Sequence, residues 1–274
     1  MIETLHLLRP LHAELLGLLR SFGEDDWSRP TICGAWQVRD VTAHLLDTTL
    51  RRLSLDRDRM SPPPPGRPIQ GYADFVAFLD QLNAEWVKAA RRLSPKVVMG
   101  LLEFALPQVA DHFESVDPHA EAAFSVAWAG EERSEAWFDI GREYTEQWLH
   151  QQHLRLATGR PLLREREWMH PVLALFVRAI PRAYAGVAAP EATRVRIAIT
   201  GEAGGTWDLV RGAEAWSLEP EGEGEAAARI EIADTDAWLL FSKGLRGAAA
   251  EAKVRIEGDE ALGRPFLGTL AIMG

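Results

Sequence analysis

Residues 141–159 read GREYTEQWLHQQHLRLATG and place a carboxylate and an imidazole, Glu146 and His150, four residues apart. On a helix that spacing stacks the two side chains one turn apart on a single face. Glu143 and His153 continue the same polar stripe, flanked by Tyr144 and Trp148 on one side and by Leu149 and Leu156 on the other. A polar ridge between apolar flanks fits the interior of a bundle better than bulk water. Facing inward, the pair offers two metal ligands already oriented by one helix. Facing outward, the same spacing is two solvated neighbours. What decides between these readings is whether another segment supplies a partner.

One segment does. Residues 31–47, TICGAWQVRDVTAHLLD, begin as a loop and end as a helix whose apolar side carries one imidazole, His44. A histidine among leucines is commonly a core side chain satisfied by a neighbour. Set against the Glu146/His150 ridge, it completes a set of two imidazoles and one carboxylate. Three protein ligands leave coordination positions open, the arrangement of a catalytic rather than a closed structural metal. His153, one turn beyond the pair, is either an alternative ligand or a base standing behind the ligands. Cys33 reads as a packed loop thiol, Trp36 as a core anchor for its loop, and His112, His119 and His170 as surface or loop residues.

The elements that must position these groups fall into two halves. Through about residue 185 the apolar period is helical. Leu5, Leu8, Leu15 and Leu19 mark a first helix, and Val38, Val41, Leu45 and Leu53 a second over 38–59. The second ends before SPPPPGRP, a stiff connection. A third helix stops at Ser94-Pro95. The segment 97–129 is helical but interrupted by Pro107 and Pro118. A long helix over 132–158 closes at Gly159, with Pro161 beyond it. This is the pattern of an up-and-down bundle. After Pro190 the period becomes two in TRVRIAIT, ARIEIAD and KVRIEGD, with a helix in DTDAWLLFSKGL that starts on an aspartate. GEAGGTW is a strand-to-strand turn. The expected architecture is an α bundle over 1–187 and a small mixed α+β domain over 188–274.

Composition narrows the chemistry. Lys+Arg 30 against Asp+Glu 40 gives a formal charge of −10, which disfavours nucleic acid and anionic membrane surfaces as partners. A single cysteine excludes an internal disulfide and any multi-cysteine zinc knuckle. The N-terminal apolar stretch is broken by Glu3, His6, Arg9, His12 and Glu14, so it reads as a helix rather than an export signal. These features point to a soluble cytoplasmic protein, monomer or homodimer, acting on a small molecule.

Two of these stretches also resemble a known family. PTICGAWQVRDVTAHLLD is similar to the N-terminal signature of mycothiol-dependent maleylpyruvate isomerases and their relatives, Pro-Thr-x-Cys-x-x-Trp-x-Val-x-Asp-x-x-x-His-Leu. EYTEQWLHQQHLRLATGRP resembles the second signature, Glu-x-x-x-His followed by a polar tail and Ala-x-Gly. The part from ITGEAGGTWDLVRG onward looks like the sterol-carrier-like domain appended in that family. The resemblance implies a DinB-like bundle holding a divalent metal, zinc first and nickel, iron or manganese after it, through His44, Glu146 and His150. It implies a low-molecular-weight thiol such as mycothiol, activated for isomerisation of, or transfer to, a small electrophilic substrate. It also implies an arginine of the second domain on the substrate carboxylate, for which Arg246 is the best positional match.

The chain departs from the family in two places. Gln37 stands where a small hydroxyl residue usually caps the helix, leaving Asp40 of the capping box. His153 stands where an aspartate is typical, one turn from the metal pair. Two rival readings accompany the thiol enzyme: a thiol-independent metal hydrolase or Fe(II) enzyme, and a non-catalytic carrier of an apolar ligand.

Overall fold

The computed structural model describes residues 1–62 and 64–272. Four helices make the bundle: α1 (Leu5–Arg20), α2 (Val38–Arg51), α4 (Pro95–Glu114) and α5 (Ala136–Thr158). Their apolar stripes meet in a cluster containing Leu15 and Leu19 of α1, Val41 and Leu45 of α2, Leu102 and Leu106 of α4, and Leu154 of α5. Removing those side chains from water is the main force holding the helices together. Helix α3 (Tyr72–Ala90) lies against α2 on the outside, where Trp86 donates its indole N–H to the Ala43 carbonyl at 2.7 Å. The proline-rich link over 61–68 carries no helix or strand among its described residues, and its Pro63 lies outside them.

The helices differ from the sequence expectation in three instructive ways. The second does not run as α-helix over 38–59. It changes to a π-turn at Arg52–Arg57, a local widening common where a side chain must be re-aimed. Pro107 does not interrupt α4. It sits on the exposed face, and the carbonyl it deprives belongs to Glu103, also exposed, so water can take its place. Ser94-Pro95 likewise starts α4 as well as following α3, with the Ser94 hydroxyl accepting from Val97 N–H and Pro95 in the first turn. The close of α5 is as expected, with Gly159 in the left-handed region at φ 66°.

Past α5 the chain forms α6 (Arg166–Phe176) and the short α7 (Ile180–Ala183), then a five-stranded sheet. The strands are β1 (Arg194–Thr200), β2 (Gly205–Arg211), β3 (Trp216–Pro220), β4 (Ala228–Ala233) and β5 (Arg255–Gly258), in spatial order β3-β2-β1-β4-β5. All neighbours are antiparallel except β1 and β4. The turn over 201–204 is the expected one, whereas the β2–β3 hairpin was not marked by clean alternation. Helices α8 (Asp234–Phe241), α9 (Ala248–Glu251) and α10 (Glu260–Gly263) complete the half. Asp234 does not cap its own helix: its carboxylate accepts from Ala203 N–H at 3.0 Å, tying α8 to the β1–β2 turn.

Val195, Ile197 and Ile199 of β1 and Ile230 and Ile232 of β4 are buried in the same cluster as Leu8 and Leu11 of α1, Trp148 of α5 and Phe176 of α6. One apolar core therefore runs from the bundle into the sheet. Trp148 and Trp238 of α8 meet edge to face across the junction, ring centres 5.7 Å apart. No helix of the described residues is long and apolar enough to cross a membrane.

Candidate metal centre

Helix α2 presents His44 to α5 because both ends of that stretch are fixed. At its start, Asp40 accepts from Gln37 N–H at 3.1 Å and is held by the Arg91 guanidinium at 3.0 and 2.9 Å. The hydroxyl cap is absent, but half of the capping box survives. One turn later the Trp86 indole fixes Ala43. The imidazole of His44 is buried, with Trp36 tilted over it at 5.1 Å between ring centres.

The three residues singled out from two distant segments are together. Nε2 of His44 lies 2.8 Å from Oε1 of Glu146, and Nε2 of His150 lies 3.2 Å from the same oxygen. The two imidazoles stand edge to face with centres 4.8 Å apart. Nδ1 of His44 is buried without a hydrogen-bond partner among the described residues. Glu146 keeps 25% of its side-chain surface, so the cluster is open on one side.

This donor set fits a cation. A tetrahedral ion bonded at ~2.0–2.1 Å to two imidazoles and a carboxylate needs donor-to-donor separations of roughly 3.3 Å. His150 and Glu146 already stand at 3.2 Å, and His44 must open from 2.8 Å by about half an ångström. Two neutral imidazoles and one carboxylate also suit zinc and the later first-row divalent ions.

Electrostatics lead the same way. Burial alone would raise the Glu146 carboxyl, but His150 and His44 hold it well below the usual carboxylate range. Burial works against a charge on His150 too, yet the Glu146 carboxylate prevails and raises that imidazole to about 10. His44 is lowered, chiefly by burial. Without a metal, the cluster is thus a carboxylate neutralised by a proton parked on His150.

His153 does not join this set. It belongs to a second group of potential ligands, Cys33, His150 and His153, whose donor atoms lie within 4.8 Å of one another. Its Nδ1 is 3.3 Å from Nδ1 of His150 and 3.0 Å from Sγ of Cys33. Burial, together with the His150 charge, lowers it to about 3, so His153 is neutral. Cys33 is therefore more than a packed loop thiol. Its loop is pinned by Thr31, whose hydroxyl accepts from Cys33 N–H at 3.1 Å and donates to the Trp36 carbonyl at 2.7 Å.

Arg246 lies in the segment that follows α8. It is half-buried, and burial lowers its pKa. It donates to the carbonyls of Leu267 (3.2 Å) and Thr269 (3.4 Å) and has no carboxylate partner among the described residues. From the same half, Trp238 reaches the site directly, 6.3 Å from His153 between ring centres.

Elsewhere on the stripe the fates diverge. Glu143 turns to Arg52 rather than to the ridge, and Leu156 is exposed instead of flanking it. His119 is exposed as expected, but His112 pairs with Asp56 at 3.1 Å and His170 contacts the Ala203 carbonyl at 3.0 Å.

A family model described as the mycothiol maleylpyruvate isomerase N-terminal domain matches residues 8–155, more than half of the chain, and that span contains both clusters. The chain belongs to this family. Among solved structures, the chain is similar to a crystal structure of the mycothiol-dependent maleylpyruvate isomerase, at 12% identity and TM-score 0.53 over 86% of each chain. It is similar too to a histidine-to-alanine mutant of that isomerase, at 11% identity and TM-score 0.55 over 92% of this chain and 91% of the other. At such identity the likeness establishes the fold, and it extends through the sheet as well as the bundle. A search of curated proteins returns no match.

Proposed function

We propose that this member of the mycothiol maleylpyruvate isomerase N-terminal domain family is a divalent-metal-dependent enzyme. It uses a low-molecular-weight thiol to isomerise, or be transferred to, a small electrophilic substrate. The observation that carries the reading is the convergence of two imidazole nitrogens from different helices on one carboxylate oxygen, at 2.8 and 3.2 Å, with the Glu146 side chain still partly exposed. Family membership and the fold of the isomerase structures support the thiol and the substrate class.

His44, Glu146 and His150 would hold the cation, zinc first. Bound there, a divalent ion would strip the proton from a thiol and supply a thiolate at neutral pH. The chain's own side chains do the rest. With Nε2 of His150 turned to the ion, its Nδ1–H would donate to Nδ1 of His153, 3.3 Å away, which would hold the ring in that orientation. Trp36 and Trp238 wall the cluster and thin the water around it. Arg246, a half-buried cation with no acid partner, would take a substrate carboxylate. The bundle and sheet units, 1–187 and 188–274, would contribute ligands and substrate contacts respectively.

The test is a purified protein assayed for bound metal and for turnover of maleylpyruvate with and without mycothiol. Turnover that needs both metal and thiol is the expected result. Metal-dependent turnover of other substrates, indifferent to thiol, would replace this reading with that of a hydrolase.

A further inference from the structure

The ring of His150 is engaged on both edges. Nε2 faces Glu146, while Nδ1 faces His153 at 3.3 Å, and Sγ of Cys33 approaches the same His153 nitrogen at 3.0 Å. As a hydrogen-bond cluster this trio is poorly satisfied. Nδ1 of His153 has either one lone pair or one proton, so it serves Cys33 or His150 well, not both. Sγ of Cys33 also lies within 4.8 Å of a ring nitrogen of His150. Three atoms able to ligate once deprotonated thus converge, and the single site on Nδ1 of His153 cannot pair both of the others.

We propose that Cys33, His153 and Nδ1 of His150 form a second cation seat, on the edge of the His150 ring away from Glu146, for a thiophilic divalent ion of the zinc class. A tetrahedral ion with nitrogen at ~2.0–2.1 Å and sulfur at ~2.3 Å needs separations of roughly 3.3 Å between nitrogens and 3.6 Å from sulfur to nitrogen. The nitrogens already stand at that spacing. The sulfur must open by about half an ångström, and it is the one donor carried by a loop rather than a helix. Cys33 is only partly buried, which leaves a way in, and Trp238 covers the His153 side. On binding, the thiol proton and the proton on Nδ1 of His150 leave to solvent, while Nε2–H of His150 stays on the Glu146 side. The thiolate and two imidazole lone pairs then face the ion. Sulfur makes this the softer seat, and the nitrogen–oxygen set around Glu146 the harder one.

Because both seats use His150, the experiment removes the Glu146 side first. Full-length His44→Ala and Glu146→Gln proteins are titrated with Co2+ in the absence of any small thiol and followed by absorption. The expected result is about one Co2+ per chain with a sulfur-to-cobalt charge-transfer band. Adding Cys33→Ser should abolish the band and weaken binding at least about tenfold. Absence of the band from both backgrounds, or its survival after Cys33→Ser, overturns the proposal. Cys33→Ser in the otherwise unchanged chain should still retain a metal at His44, Glu146 and His150. That arm reports failure of the first centre separately from failure of the second.

Discussion

Helix α5 carries two buried polar clusters two turns apart, and they are built on opposite principles. Toward its start, Asp139 and Glu143 meet Arg52 from the π-turn. The guanidinium donates to both oxygens of Asp139 at 2.7 and 2.5 Å and to Glu143 at 3.0 Å, while it lies over the rings of Phe113 and Phe124. Arg142 adds a further bond to Asp139 at 2.8 Å. Asp56 also approaches Arg52 at 3.5 Å and faces His112 at 3.1 Å, so every acid of the cluster has a basic partner and the cluster is closed. Toward the other end, Glu146 meets only imidazoles, and among the described residues no arginine or lysine pairs with it. The first cluster completes its charge from the chain itself. The second leaves a carboxylate and several nitrogen lone pairs to be completed from outside, which is what a metal centre requires.

Four measurements test that contrast. The largest effect belongs to Arg52→Met, which leaves Glu143 buried without its cation and Asp139 with Arg142 alone. Unfolding by denaturant should show a loss of about 3–5 kcal/mol. A loss below about 1 kcal/mol would mean the cluster is not closed. Next is His150→Ala, which should weaken metal retention by at least about 100-fold, read as metal content after dialysis. The same change should leave the metal-free stability far less disturbed than Arg52→Met does. Comparable destabilisation by both changes would erase the distinction between the clusters.

Acid gives the third. A metal must displace the proton that Glu146 holds on His150, raised to about 10 in the metal-free chain. Affinity should therefore climb with pH by up to about tenfold per unit below that value and fall on acidification. Asp139 is held below its usual range, burial notwithstanding, by Arg52 and Arg142. A carboxyl lowered on folding contributes stability above its unfolded pKa and loses it only as pH falls through the folded one. Metal should thus be released well before the Arg52 cluster fails. Simultaneous loss of metal and of near-ultraviolet dichroism on acid titration would contradict this order. The smallest effect is expected at Arg9, which also meets two acids of one helix, Asp111 and Glu114, but in solvent. Arg9→Ala should barely change stability, and less still in high salt.

The helices and the residues that converge at Glu146 were legible in sequence because both rest on local period. Val38, Val41 and Leu45 fall on one buried stripe, and Glu146 and His150 share a face for any helix of that phase. His44 could be paired with them because an imidazole on an apolar stripe is conspicuous. Other features depend on contacts that no spacing encodes. Arg52 is re-aimed by a π-turn, Cys33 reaches His153 across 120 positions, and Trp238 arrives from the sheet. Glu143 lay on the right stripe yet answers to Arg52, since periodicity gives a side chain's direction and not its partner. The family signature carries Cys33 in its first run, and that was the one available sign that the thiol belonged near the centre.

The apolar cluster shared by Leu11, Trp148, Phe176 and Ile197 has a thermodynamic corollary. Helical and sheet parts surrender their common interior at one temperature, so calorimetry should record a single endotherm rather than two. A heat pulse that loosens the strands then also unseats Trp238 from beside His153, coupling the thermal tolerance of the chemistry to that of the whole polypeptide.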